Sequence, residues 1–191
     1  MHLLAAQPGA LSDNDEAIDL EQSPGAIVFL SAADTDLALI TAAQEARLAD
    51  AVHAAHAAEA PSLRAANLMQ LQHPMSVDLY LDRVVRYARV VVVRLLGGKA
   101  YWSYGVEQLV AACHASGAAL ALLPGDDRPD AELRAWSNLD AATYDGLWAL
   151  LGQGGAVNAR AFVDALGALA ARNPGDLAPA VRTAEALPEN G

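Results

Sequence analysis

Four short apolar runs, each bounded by turn-forming or polar residues, read as buried strands: AIVFLSA at 26–32, SLRAANLMQL at 62–71, RVVVVRLL at 89–96 and AALALLPG at 118–125. The alanines of the second run suit a helix equally well, and MHLLAA at the amino terminus is a possible fifth strand. Between the runs the apolar positions take helical spacing. Over 34–59 they are Leu37, Ile40, Leu48 and Val52, with Asp34 as the expected N-cap. Over 76–88 they are Val77, Leu81, Val84, Val85 and Ala88, with Ser76 as cap and Asp78 in the first turn, where the helix dipole favours an acid. Over 101–116 the stripe is Val106, Leu109, Val110 and Cys113, and Gly117 ends the helix. Strands alternating with helices predict parallel βαβ units, hence an α/β fold: an open, mostly parallel sheet with helices on both faces, doubly wound and flavodoxin-like. From 130 onward the pattern is helical only, over 130–137, 140–152 and 158–172, with Asn158 as the cap of the last segment. The organisation expected is an α/β domain over 1–129, a small helical extension packed on it over 130–172, and a proline-containing linker or disordered tail over 173–191.

Charge narrows the partners. The 191 residues carry 12 basic and 23 acidic side chains, a net charge of −11, which argues against nucleic acid or an anionic membrane. The excess sits at the two ends: residues 1–25 hold five acids and no Lys or Arg, residues 126–191 hold ten acids and five arginines, and the middle is nearly neutral. The flanks read as solvated, and the alternative is an acidic surface facing a basic partner. The single cysteine, Cys113, excludes an intrachain disulfide and a multi-cysteine zinc site, and its place in an apolar stripe reads as core. With neither a signal-peptide pattern nor a long apolar span in the sequence, a cytoplasmic protein is expected.

In such a sheet, ligands bind beyond the carboxyl ends of the strands. The loops there are 31–34, 72–76, 97–104 and 124–129. LLGGKAYWSYG puts Gly97, Gly98 and Lys99 between a strand and a helix, but a phosphate loop needs glycine where Val93 stands and a hydroxyl where Ala100 stands, so the glycines predict a tight turn. Tyr101, Trp102 and Tyr104 crowd one loop of an aromatic-poor chain and form a possible stacking or interface surface. Asp34, Asp126 and Asp127 put carboxylates where a phosphate would sit, and read as caps and turn residues. His73 precedes a proline turn beside Ser76. His53, His56 and Glu59 spiral around one helix and make a weak metal set. The candidate ligand or interface residues are therefore Asp34, His73, Ser76, Gly97, Gly98, Tyr101, Trp102, Tyr104, Asp126 and Asp127, with no catalytic or metal constellation among them.

Several stretches together resemble the amino-terminal region of the large subunit of the aerobic, ATP-dependent cobaltochelatase, a family related to the magnesium-chelatase H subunit. They are EAIDLEQSPGAIVFLSAADTDLA at 16–38, NLMQLQHPMSVDLYLD at 67–82, RVVVVRLLGGKAYWSYGVEQL at 89–109 and ALALLPGDDRPDAEL at 119–133, with a fainter match in LWALLGQGGAVNARAFVDAL at 147–166. The resemblance implies a head domain of the enzyme that inserts cobalt into hydrogenobyrinic acid a,c-diamide during cobalamin biosynthesis. It implies as partners the remainder of the large subunit, AAA+ motor subunits of the CobS and CobT type, and the corrinoid held by the full subunit. Cobalt and ATP then belong to the complete complex, this chain binds no cofactor of its own, and no catalytic residue of the family maps onto it. A non-catalytic acidic interaction module, or a small-ligand-binding α/β domain, is the alternative.

Overall fold

The computed structural model describes residues 16–53 and 61–171. Four parallel strands, β1 (Ile27–Ser31), β2 (Leu63–Asn67), β3 (Val90–Leu95) and β4 (Ala119–Pro124), form one sheet in the order β2-β1-β3-β4. This is the doubly wound order in which the chain first winds outward to β2 and then returns past β1 to β3. The MHLLAA stretch and the 173–191 tail lie outside the described residues.

Alternation along the strands sorts the core into two halves. Val28, Leu30, Val91, Val93, Leu120 and Leu122 face α2 (Pro74–Arg83), α3 (Ser103–Ser116) and α4 (Ala131–Trp136). Ile27, Phe29, Val90, Val92, Ala121 and Leu123 face α1 (Asp34–His53), α5 (Ala141–Gln153) and α6 (Gly155–Ala170). Both faces are covered, which is why the strands read as continuous apolar runs rather than alternating ones. Cys113 lies in the first half. Burial pushes its thiol up from 9.0 to about 12, so it stays protonated and unreactive at neutral pH.

The sheet edges are closed by the chain itself. Beyond β4, the Leu120 and Leu122 amides donate to Asn138 Oδ1 (2.6 Å) and Ser137 Oγ (2.8 Å), and Asn138 Nδ2 donates to the Ala118 carbonyl. Side chains thus stand in for a fifth strand. Beyond β2, Gln22 donates to the Ala65 carbonyl and Arg64 donates to the Ser23 carbonyl, so the amino-terminal flank is laid along the edge. Asp19 of that flank pairs with Arg83, and Asp145 pairs with Arg134, so part of the flanking acidity meets the protein's own arginines.

Element ends differ from expectation for local reasons. The second strand stops at Asn67 because Asn67 Oδ1 caps a 3₁₀ turn at Leu68–Leu71. Helix α2 begins two residues before Ser76: His73 Nδ1 accepts from the Met75 amide, and Pro74 occupies the first turn, where its missing N–H costs nothing. Ser76 is instead buried and accepts from the Ile18 amide at 2.7 Å. Asp34 lies within the first turn of α1 rather than capping it. Asn158 is an interior residue of α6, which starts at Gly155 after Gly154 turns with positive φ.

Candidate functional site

At the carboxyl end of the sheet, strand register places Asn67, Ser31 and Arg94 side by side on β2, β1 and β3. All three follow the parity of Phe29 and Val92 and therefore point to the α1 side. The first turn of α1 meets this polar row with two carboxylates. Asp34 Oδ1 accepts from Asn67 Nδ2 at 2.7 Å. Asp36 accepts from Ser31 Oγ at 2.8 Å and from Arg94 at 2.7 Å, and Arg94 also donates to the Gly125 carbonyl at 3.1 Å. The dipole of α1 favours both acids at its amino end.

Beside this network lies an open cleft of about 360 Å³ between the β1–α1 turn (Ser31–Ala33, Thr35, Asp36) and the ends of β3 and β4 (Arg94, Leu96, Gly125). It sits between β1 and β3, where the strand order reverses and open α/β sheets bind their ligands. The Arg94–Asp36 pair forms its polar wall, with side chains only 16% and 14% exposed. Breaking such a pair leaves one charge poorly solvated. Asp36→Asn is expected to lower stability by about 2 kcal/mol, and Arg94→Met together with Asp36→Asn by less than Asp36→Asn alone. Urea unfolding of Asp36→Asn, Arg94→Met and the double variant checks this, and additive losses would refute the coupling.

The residues expected from sequence are dispersed over the fold. Asp34 belongs to the network. Gly97 and Gly98 (φ +93° and +71°) make the tight turn after β3, and a side chain at Gly98 would come within 3.0 Å of Asp130. Lys99, which follows them, pairs with Glu107 at 3.2 Å and stacks 3.9 Å over the Trp136 ring, so it does not reach into the crevice as a phosphate ligand.

The three aromatics do not share one surface. Trp102 is buried in the core, and its Nε1 donates to the Leu71 carbonyl at 2.7 Å. Tyr101 and Tyr104 remain partly exposed. Tyr101 donates to the Met69 sulfur, and Tyr104 donates to Asp78 at 2.8 Å, a bond that holds its phenol above the usual range.

Asp126 and Asp127 are turn residues just after β4. Asp126 accepts from the Arg128 amide, Asp127 is exposed, and Asp130 is the N-cap of α4. His73 and Ser76 serve the structure as described above. His53 contacts its own helix through Ala49, while His56 and Glu59 lie outside the described residues. Among the described residues no three His, Cys, Asp or Glu side chains converge as a metal site, and no helix is long and apolar enough to cross a membrane.

Sequence reading missed Ser31, Asp36, Asn67 and Arg94. The usable signal was an arginine closing a valine strand, aligned with Ser and Asn at the same register in two other strands.

No protein-family model matches the chain. It is 47% identical over 169 residues to the aerobic cobaltochelatase subunit CobN of a Sinorhizobium species, a match covering 88% of this chain and 12% of that protein. It is 48% identical over 162 residues to CobN of Pseudomonas aeruginosa, covering 85% of this chain and 12% of that protein. The fold matches the catalytic subunit of cobaltochelatase from Mycobacterium tuberculosis with a TM-score of 0.55 and 25% identity, over 85% of this chain and 11% of that one. The chain thus spans about 12% of the length of the curated relatives it matches.

Proposed function

We propose, from the homology of this chain to one segment of the aerobic cobaltochelatase subunit CobN, that it is the α/β head domain of a cobaltochelatase large subunit. In this reading it sits at the amino-terminal end of the subunit and helps to shape or gate the cleft where a corrin receives cobalt. Metal insertion into hydrogenobyrinic acid a,c-diamide belongs to the rest of the subunit, and ATP hydrolysis belongs to AAA+ motor subunits of the CobS and CobT type. The observation that carries the reading is the two-way coverage: nearly all of this chain matches, at 47% identity, only 12% of its relative.

Two features of the site support an accessory role. In the cleft wall Ser31 and Arg94 both donate to the Asp36 carboxylate, and Arg94 also donates to the Gly125 carbonyl, so these groups are committed to one another. The lysine of the glycine turn is held by Glu107 and Trp136. In this reading cobalt, ATP and the corrinoid are substrates of the complete cytoplasmic complex.

The test mixes the purified chain with the motor subunits, cobalt, ATP and hydrogenobyrinic acid a,c-diamide, in parallel with a complete large subunit. Cobalt insertion is expected only with the complete subunit. Insertion by the short chain would overturn the division of labour.

A further inference from the structure

Five large apolar or aromatic side chains are exposed around the carboxyl end of the sheet, between 38% and 62% of their surface: Met69, Met75, Leu96, Tyr101 and Tyr104. Four of them are tied into one strip. Tyr101 donates to the Met69 sulfur at 3.0 Å, Tyr104 donates to Asp78, and Asp78 lies one turn along α2 from Met75. Leu96 follows β3 and leads from the turn that carries Tyr101 into the cleft. Both tyrosine hydroxyls already have partners within the strip, so what it offers outward is thioether and ring surface. Met and Tyr are the residues enriched where protein surfaces pack on one another, and a grouped apolar strip of this kind marks an interaction site.

The relatives supply the occupant. The matched segment is 12% of their length, so most of such a subunit lies beyond the segment and is available to cover the strip. We infer that the Met69–Tyr101–Tyr104–Met75 strip is the face on which this domain packs against the remainder of the cobaltochelatase large subunit. This inference rests on the head-domain reading above. Packing there sets the switch-point cleft, through Leu96, at the junction between the domain and the rest of the subunit.

Methionine oxidation reads the face directly, since peroxide transfers one oxygen to an accessible thioether, giving the sulfoxide and water. The chain is tagged and purified from its own cells together with the cobaltochelatase large-subunit polypeptide, joined to it or separate, and compared with the 191-residue chain alone. Met69 and Met75 are expected to oxidise at least tenfold more slowly in the assembly. Met69→Asp combined with Met75→Asp, both at exposed positions and checked for an unchanged thermal midpoint, is expected to raise the oxidation-independent proteolysis rate of the assembly and to weaken retention of a separate partner at least tenfold. Equal oxidation rates in assembly and free chain would place the contact on another face and leave the head-domain reading standing. A preparation lacking any cobaltochelatase large-subunit polypeptide would overturn both. Protection in the isolated chain that tracks its dimerisation on sedimentation would assign the strip to a second copy and overturn this occupant.

Discussion

Gly105→Ala is expected to destabilise the protein by about 3 kcal/mol, although alanine ordinarily favours a helix over glycine by about 1 kcal/mol. Gly105 is the third residue of α3, and the indole of Trp102, three positions earlier, folds back across it. A Cβ at Gly105 would lie 2.1, 2.2 and 2.4 Å from three atoms of that ring. The ring has no room to slide, being 5% exposed and fixed by its N–H to the Leu71 carbonyl. Alanine therefore expels the indole from its place, with the loss of a buried aromatic and an unpartnered carbonyl at Leu71. Chemical denaturation followed by tryptophan fluorescence measures the loss. A change below about 0.5 kcal/mol would show that Trp102 can repack, and would restore the aromatic loop as an adaptable surface. Trp102→Phe combined with Gly105→Ala is expected to recover part of the stability, because the smaller ring clears the new methyl group.

The aromatic loop also shows where sequence reading reaches its limit. Tyr101, Trp102 and Tyr104 are equivalent as a composition signal, yet one is core and two are surface. What separates them is the 3₁₀ turn at Lys99–Trp102, which rotates Trp102 inward just before α3 begins. Strand order was not readable from periodicity, and without it Arg94 appears only as a charge at the end of a valine run. Pairing β3 beside β1 sets Arg94 next to Ser31 and under Asp36, and the same step turns three unrelated polar residues into one network. Parallel strands, two-sided helical cover and the Gly117 stop were all legible, because each depends on local spacing or on a chirality rule that holds across proteins. The capping roles of Asp34, Ser76 and Asn158 were not. Caps compete over one or two positions, and His73 with Pro74 displaced Ser76 through a bond available only once the preceding turn had formed. Homology was legible as well, through the order of the sequence blocks, and it identifies a relationship that no residue of the cleft announces by its chemistry.

Phe162→Ala is expected to cost about 4 kcal/mol and to lower the stability of the whole described fold at once. Phe162 on α6 is fully buried and meets Phe29 of the central strand β1 edge to face, with ring centroids 5.8 Å apart and planes at 79°. Around the pair lie Ile27 and Val92 of the sheet, Ile40 of α1 and Leu147 of α5. Helices α5 and α6 thus complete one face of the sheet: without them α1 would be left alone over Val90, Val92, Ala121 and Leu123. Two tryptophans report on opposite faces, Trp102 in the half-core under α3 and Trp148 on α5 in the other half-core. In variants keeping only one of the three tryptophans, each compared with its own Phe162 parent, Phe162→Ala is expected to lower the urea midpoints seen by Trp102 and by Trp148 together. A shift confined to Trp148 would mean that the carboxyl-terminal helices form a separable appendage. In that case the interface strip, which belongs to the other half of the core, would survive their loss. A joint shift means that α5, α6 and the sheet, with the Ser31–Asp36–Arg94 wall that the sheet carries, unfold as one cooperative unit.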